Sequence, residues 1–355
     1  MAARRPPRLD ATVKTTWTRT LDESAGSSEA RERTTHPTPA GSSEARESDY
    51  GHSLRAMAGP LRVHDDRHRV LDFASPPRRV VSLVPSDTLN VAALGAGAAL
   101  VGRTDYCELP EDVAARVPSV GGTKDPRIPD VLALEPDLVI ANQEENSRGD
   151  LEAIAQHGVR VYVAFPKRVA DGLAHLAKLA RIFRVEREPA VRALLKRGYE
   201  ALRDAAPRAT PPLPTFCPIW MNPLMTIHAD TFISDMMLVC GAENVFADRE
   251  RRYPLAADLG RGAPLAPDKT RDRDVRYPRI TLEEVVARAP QAVILPDEPH
   301  PFTDEDAAVF RGLPIPAARR GAILHVSGKD LCWYGARSVE GIGRVRALLE
   351  RLAEP

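Results

Sequence analysis

Acidic side chains stand just after two apolar segments of the sequence. Asn142 closes the segment PDLVIAN and is followed by Glu144 and Glu145, while Asp297 and Glu298 follow QAVILP. Carboxylate and amide oxygens at the end of a strand can accept hydrogen bonds from a small ligand or bind a hard cation. The residue types leave both choices open, and we take these five residues as the first candidates for ligand binding.

A second group of candidates lies in GKDLCWYG, a segment bounded by Gly328 and Gly335. Loops on a rigid scaffold frequently hold ligands. This loop offers polar and aromatic side chains close together: Lys329, Asp330, Trp333 and Tyr334. We therefore rank it second, after the acidic strand ends.

Four further residues have both a structural and a ligand-binding interpretation. Tyr106 and Cys107 follow another expected strand end, where Cys107 is either a buried structural cysteine or a ligand contact. Lys124, after two glycines, either binds an anionic group or belongs to a simple turn. Trp220 lies in the proline-flanked segment CPIWMNP and is either a core residue or a ligand contact.

No catalytic or metal-binding motif accompanies these candidates. The sequence has no GxSxG, P-loop, HExxH or GxGxxG pattern, and its four cysteines have no zinc-like spacing. A metal site would have to be assembled across a cleft, for example from His300, Glu298 and Glu144. We therefore predict a binding protein that is not an enzyme; the enzymatic alternative would use the region of Cys107 and Glu145.

Length and composition narrow the possible class of protein further. At 355 residues the chain exceeds the usual size of one hydrophobic core, so two compact units are expected. Its formal net charge of zero argues against nucleic acid as a partner. The longest apolar stretch, Val91 to Val101, is too short to cross a bilayer, which takes about 20 residues. We expect a monomer that binds a small molecule.

Residues 1–57 differ in composition from the rest of the chain. They contain few large apolar residues and repeat the heptamer GSSEARE, so they cannot bury enough surface to offset the entropy of ordering. We predict a disordered segment. It shows no apolar run typical of a secretory signal, so the sequence as it stands predicts a cytoplasmic protein.

The elements that must position the candidates alternate between strand and helix. From RRVVSLVP to the helical VADGLAHLAKLARIF, continuously apolar strands alternate with helices, which predicts a parallel sheet covered on both faces in a first lobe over 78–183. A connecting helix over 186–206, of which about eighteen residues from Pro189 onward would reach about 27 Å, leads to a second α/β lobe over 213–355. A Pro/Asp/Arg-rich surface insertion is expected at 254–277.

A weak internal repeat relates the two lobes. DVLALEPDLVIANQE, which begins at Asp130, aligns without gaps on EVVARAPQAVILPDE, which begins at Glu284, at an offset of 154 residues. In each half an apolar strand ends in an acidic tip. Because open parallel sheets bind ligands beyond the carboxyl ends of their strands, two such lobes would face each other across a cleft.

These features resemble a known family, the class III substrate-binding proteins of ABC importers, also called helical-backbone metal receptors. The resemblance covers the chain from about Arg78 onward. It depends on RRVVSLVPSDT, PDLVIAN, the single connecting helix, DTFISDMMLVCGAENVFAD and TLEEVVARAPQAVIL. The last stretch is especially similar to the cobalamin-binding branch.

The resemblance implies two Rossmann-like α/β lobes with parallel sheets, joined by one long helix. It implies a corrinoid or ferric-chelate ligand, a periplasmic or extracytoplasmic location, and a permease and ATPase as partners. Tyr106 fits an aromatic position that cobalamin binders place at the cleft. Transporter docking would use Asp130 in the first lobe and Glu283 in the second. The alternative is a metal- or cofactor-handling protein inside the cell that has no transporter.

Overall fold

The computed structural model of the protein describes residues 59–205, 211–271 and 273–353. The prediction of disorder for 1–57 lies outside these residues. The described residues form one compact unit, in which two α/β lobes can be distinguished by their sheets.

A four-stranded parallel sheet forms the centre of the first lobe. Its strand order is β4-β3-β5-β6, and β3, β5 and β6 are buried along their whole length, which explains their continuously apolar sequences. An antiparallel hairpin, β1–β2, precedes the sheet. The strands of this lobe are β1 (Leu61–His64), β2 (Val70–Phe73), β3 (Val80–Ser82), β4 (Leu100–Gly102), β5 (Leu138–Asn142) and β6 (Val161–Ala164).

Helices connect these parallel strands. They are α1 (Pro85–Ala93), α2 (Glu111–Arg116), α3 (Ile128–Ala133), α4 (Arg148–Gln156) and α5 (Val169–Ile182). A short 3₁₀ helix, Gly97–Ala99, precedes β4. The long helix α5 buries Leu173, Leu176 and Leu179, whose helical spacing produces one apolar face.

The chain passes between the lobes through α6 (Pro189–Asp204). Pro189 takes the first helical position, where its missing N–H costs nothing. The sixteen residues of α6 give a length of about 24 Å. α6 packs against α5 of the first lobe and against the C-terminal helix.

The second lobe repeats the parallel arrangement, with strand order β10-β7-β11-β12 and an antiparallel hairpin, β8–β9. Its strands are β7 (Leu213–Phe216), β8 (Pro218–Met221), β9 (Leu224–Thr226), β10 (Ala242–Asn244), β11 (Ala292–Pro296) and β12 (Ile323–Val326). Its helices are α7 (Phe232–Val239), α8 (Leu255–Asp258), α9 (Leu282–Arg288), α10 (Asp304–Arg311), α11 (Pro316–Arg319), α12 (Gly328–Cys332) and α13 (Ala336–Ala353), with a 3₁₀ helix at Pro267–Lys269.

The internal repeat coincides with matching elements. The offset of 154 residues takes both ends of β5 to the ends of β11. β5 lies between β3 and β6, as β11 lies between β7 and β12. In the turns before these strands, Glu135 and Ala289 share a left-handed backbone, with φ of 45° and 46°.

The C-terminal helix α13 packs against both lobes. It contacts α1, α5, α6 and α7. Ile342, Val345 and Leu349 belong to the core of the second lobe, whereas Ala336 packs against the core of the first. The lobes are therefore held by packing as well as by α6. Across the described ranges, no helix combines the length and apolarity needed to cross a membrane.

Candidate functional site

Polar residues beyond the carboxyl ends of β5 and β11 approach one another between the lobes. Glu145, after β5, lies close enough to Glu144 and Glu298 for their charges to act on it, and Glu298 follows β11. We call the space between the two strand ends the cleft, and these three glutamates the acidic cluster. The acidic tips predicted for the two repeats are thus brought together.

Crowding by protein and mutual repulsion disfavour ionisation in the acidic cluster. Burial raises the pKa of Glu145, and the charges of Glu144 and Glu298 add to the effect, while Lys124 opposes it. Glu145 is nevertheless exposed to solvent, so water screens these interactions and weakens the effect. Burial likewise raises the pKa of Glu298, although Cys332 and Lys329 stabilise its charged form. Without a ligand, the ionised carboxylates of the acidic cluster therefore carry an energetic cost.

The loop of α12 surrounds Glu298. The Cys332 thiol donates to Glu298 Oε1 at 3.3 Å, and the Trp333 side chain also donates to this carboxyl. The Lys329 ammonium lies 3.7 Å from Glu298 and 3.4 Å from Glu108 of the first lobe. The same ammonium lies 5.5 Å from the Trp333 ring centre. Lys329 and Trp333 thus lie beside the acidic cluster, and Lys329 spans the two lobes.

The end of the insertion reaches across the cleft to Glu144. Tyr277 Oη donates to Glu144 Oε1 at 2.6 Å, and an Arg276 nitrogen lies 2.5 Å from the same oxygen. Arg276 also pairs with Asp274 at 2.6 Å and lies over the rings of Phe165 and Tyr277. Burial and the nearby carboxylate of Glu144 raise the pKa of Tyr277, which keeps its hydroxyl protonated as a donor. One side of the cleft is therefore closed by a contact between the insertion and the first lobe.

A second ion pair joins the lobes near this contact. The Lys167 ammonium lies 2.5 Å from Asp230 Oδ2, and the backbone N–H of Val169 donates to Asp235 Oδ2 at 2.8 Å. Lys167 follows β6 and Asp230 precedes α7. Neither Lys167 nor Asp230 was expected from the sequence, and the same holds for Arg276 and Tyr277. The available signal was weak: Phe165 and Lys167 follow a strand end, as the predicted residues do.

A buried polar network crosses the lobe boundary behind the cleft. Tyr334 Oη donates to Asp87 Oδ2 at 2.7 Å and accepts from Asn142 Nδ2 at 3.2 Å. His175 Nε2 lies 2.6 Å from Asp87 Oδ1, and Asn90 Nδ2 donates to that oxygen at 3.1 Å. We call these five residues the interlobe network; all of them are buried. Asn142 and Tyr334, both predicted as ligand contacts, connect the lobes to each other in this network.

At Gly335 the loop before α13 approaches α1 closely. Gly335 has φ +83°, and a Cβ at this position would collide with the Asn90 side chain. The Asn90 side-chain oxygen accepts from the N–H of Ala336 at 2.8 Å, at the start of α13. Only glycine allows α1 to approach the loop so closely. The glycine that bounded the predicted loop therefore serves lobe packing.

Two of the predicted ligand contacts, Cys107 and Asp330, interact with residues outside the acidic cluster. Cys107 is fully buried against Thr88 and Thr104, each 3.1 Å from its sulfur. Burial raises its pKa, and a protonated buried thiol is a poor nucleophile or ligand. Asp330 pairs with Arg337 at 2.6 Å and Arg344 at 2.7 Å, so it anchors α13.

Other candidates have simple local roles or remain accessible. Asp297 Oδ1 accepts from the N–H of Gly328 at 2.7 Å and fixes the start of α12. The Lys124 ammonium donates to the backbone oxygen of Glu144. Tyr106 and Trp220 are exposed, with 62% and 43% of their surface accessible. Both keep surfaces that a ligand or partner could contact.

The metal site considered from the sequence is not formed. The His300 ring packs at 5.2 Å from Trp220 and 4.7 Å from Phe302, and its Nε2 lies 3.6 Å from Asp306. It is therefore engaged elsewhere than at Glu298 and Glu144. In the part of the chain that the structure describes, no group of three or more His, Cys, Asp or Glu side chains is arranged to hold a metal ion.

The two residues proposed for transporter docking are both exposed at helix starts. Asp130, in the first turn of α3, pairs with Arg127 at 2.6 Å. Glu283, in the first turn of α9, has its pKa lowered by its own backbone N–H and by the Thr281 hydroxyl. By the repeat, Glu283 corresponds to Pro129 and Asp130 to Glu284. The two exposed carboxylates are thus displaced by one residue relative to each other.

Two parallel sheets that turn the ends of β5 and β11 toward a common cleft, with α6 connecting them, define a two-lobed binding protein. The chain belongs to the periplasmic binding protein family, whose model matches residues 80–314. Members of this family are substrate-binding proteins. The fold class and the resemblance expected from the sequence are confirmed.

Individual relatives agree with this assignment. A vitamin B12-binding protein of Yersinia pestis (strain Pestoides F) is 28% identical over 224 residues, which cover 62% of this chain and 70% of that protein. The crystal structure of the periplasmic vitamin B12-binding protein of Vibrio cholerae aligns with a TM-score of 0.61 and 19% identity, over 79% of this chain and 99% of that one. A periplasmic heme-binding protein from Pseudomonas aeruginosa aligns with a TM-score of 0.61 and 24% identity, over 79% and 95%. At these identities the two solved structures establish the fold alone.

Proposed function

We propose that the protein reversibly captures a corrinoid or a similar metal chelate in its cleft, as the substrate-binding component of an ABC importer. The observation that carries this proposal is the acidic cluster, in which Glu144 and Glu145 of the first lobe meet Glu298 of the second. A ligand held there contacts both lobes at once. The vitamin B12-binding relative supports the same ligand class.

The charges in the cleft favour a ligand rich in hydrogen-bond donors. Glu145 and Glu298 have raised pKa values because burial and neighbouring carboxylates disfavour their charged forms. Side-chain amides of a corrin ring can donate to such carboxylates, and a cationic metal centre would offset their repulsion. The propionates of heme would add negative charge at the same place. The cleft therefore fits a corrinoid better than heme.

The thiol considered as a catalytic nucleophile from the sequence is not in a reactive state. The alternative enzyme would use Cys107 as nucleophile, but this thiol is buried and its pKa is raised. A thiol acts as a nucleophile in its ionised form. We therefore propose a function in binding without catalysis.

Thermal-shift measurements test the ligand class. Cobinamide, cyanocobalamin, heme and a ferric hydroxamate are added separately to the purified protein. A corrinoid at about 100 times its Kd is expected to stabilise the protein by about 2.7 kcal/mol and to raise its Tm, because it binds the folded state only. Heme is expected to give a smaller shift. No shift with any of the four at high concentration would contradict the proposal.

Docking on a permease is tested separately at the two exposed carboxylates. Charge reversal by Asp130→Lys or Glu283→Lys should weaken association with a cognate permease and lower transport, since rim charges guide such encounters. Ligand binding to the purified variants should be unchanged. If neither substitution affects uptake, the alternative of a cofactor-handling protein without a transporter is favoured.

A further inference from the structure

A basic cavity lies on the first lobe and shares no lining residue with the acidic cluster. It has a volume of about 520 Å³, within the range of about 300–1,000 Å³ that small-molecule sites occupy. The residues that line it come from the β1–β2 turn, the end of β5 and the start of α4: Arg67, Arg69, Gln143, Arg148 and Glu152. Three guanidinium groups against one carboxylate make this cavity, the arginine pocket, a place of positive charge.

The three arginines differ in their partners. Arg69 pairs with Asp65 at 2.8 Å, and Arg148 pairs with Glu152 at 2.6 Å. Arg67 forms no ion pair within the described ranges; its side chain donates to the amide oxygen of Gln143 at 3.3 Å. Burial, together with the charges of Arg69 and Arg148, lowers the pKa of Arg67, although the carboxylates of Asp65 and Glu152 oppose this effect. With two carboxylates paired to Arg69 and Arg148, the pocket holds one guanidinium more than its ion pairs use, that of Arg67.

The turn that presents Arg67 is fixed by a buried carboxylate. Asp65 Oδ1 accepts from the N–H of Arg67 at 3.0 Å and from the N–H of Arg69 at 2.8 Å. Asp65 Oδ2 accepts from Arg69 Nε at 2.9 Å, and Asp65 is 2% exposed. The backbone under Arg67 is therefore held in place before any ligand arrives, which lowers the cost of binding.

We propose that the arginine pocket is a second ligand site, which binds a small anion through its phosphoryl group. Arg67 would exchange its amide contact with Gln143 for a bidentate contact to phosphate oxygens, for which the planar guanidinium fork is well suited. Arg148 would contribute a second positive charge from the start of α4. The bound dianion would relieve the repulsion among the three guanidinium groups. The cavity has room for a phosphorylated small molecule as well as for free phosphate.

Titration calorimetry at constant ionic strength, with chloride as the balancing anion, tests this site. The probes are inorganic phosphate and adenosine monophosphate, which distinguish free phosphate from a phosphorylated metabolite. We expect at least one to bind with a Kd of about 1 mM or lower. Arg67→Ala and, separately, Arg148→Ala should each weaken binding about tenfold or more. Arg62→Ala is the matched control, because Arg62 lies on the same hairpin and pairs with Asp72 outside the pocket.

The proposal is overturned if neither anion binds the wild-type protein at about 10 mM, if Arg67→Ala and Arg148→Ala bind as tightly as the wild type, or if Arg62→Ala loses as much affinity as they do. Arg148 is largely exposed, so Arg148→Ala gives a folded variant even where Arg67→Ala disturbs the turn. The cleft ligand is absent from these titrations, so the outcome is independent of the proposed transport function.

Discussion

Glu298 lies at the cleft, where burial makes the ionised form of its carboxyl costly. Its pKa is raised, chiefly by burial. The folded protein therefore binds a proton at Glu298 more readily than the unfolded chain does, and ionisation at neutral pH destabilises the fold. Ligand-binding groups commonly carry such a cost.

Removing this charge should stabilise the ligand-free protein. Glu298→Gln is expected to raise the Tm by about 1–3 °C at about pH 7. The difference should shrink as the pH falls and should vanish below the ordinary glutamate value of about 4.3, where the wild-type carboxyl is protonated in both states. Thermal unfolding over this pH range measures it. The exposed Glu305→Gln is the control, and equal effects of both substitutions would argue against the assignment.

Tyr334 is the residue through which the buried network joins the lobes. Its hydroxyl donates to Asp87 and accepts from Asn142. Tyr334→Phe leaves the buried carboxylate of Asp87 with one donor fewer, at a cost of about 1–3 kcal/mol. Chemical denaturation should show this loss, whereas Tyr106→Phe at an exposed position should change little. Equal stability of wild type and Tyr334→Phe would mean that the hydroxyl contributes nothing.

Candidate residues could be predicted from the sequence where their position depends only on the neighbouring strand. Glu144, Glu145 and Glu298 follow strands, so their place at a sheet edge could be predicted. Asp87 and Tyr334 could not be paired in this way, because 247 residues separate them. For Cys107 the sequence left a buried structural role and a ligand contact open, because burial against Thr88 depends on tertiary packing.

At the level of elements, periodicity and apolar runs predicted the strands and α6 well. β5 and β6 are buried apolar runs, and Glu188-Pro189 marks the start of α6. The insertion was predicted as a surface excursion, yet its two ends are anchored. Asp258 is buried and pairs with Arg249 at 3.0 Å, and Arg276 reaches Glu144. Composition could not reveal this, because charged residues pair in space with partners far away in the chain.

The contact of the insertion with Glu144 should restrain the insertion. In Arg276→Ala the ion pair with Glu144 and the stacking on Phe165 are lost, so the end of the insertion should exchange its amide hydrogens faster and be cut more rapidly by proteases. Hydrogen exchange followed by mass spectrometry measures the change. Arg261→Ala, an exposed position in the same insertion, is the control. Unchanged exchange around residues 273–279 in Arg276→Ala would show that the contact does not restrain the segment.

The whole molecule holds its lobes together by several independent means. α6 connects them covalently, α13 packs against both, and the interlobe network and the pairs of Lys167 and Lys329 add polar contacts. Large hinge motions would have to break these together. We expect ligand binding to change the angle between the lobes only slightly, by adjustment of side chains in the cleft.

The central claim is that one ligand is held between the lobes by carboxylates from both. Titration calorimetry with cobinamide tests it most directly, on the wild type, Glu145→Gln of the first lobe and Glu298→Gln of the second. The account predicts a 1:1 complex that each substitution weakens about tenfold or more, while Glu305→Gln binds as the wild type does. A wild-type protein that does not bind cobinamide, or binding that neither substitution in the acidic cluster weakens, would contradict it.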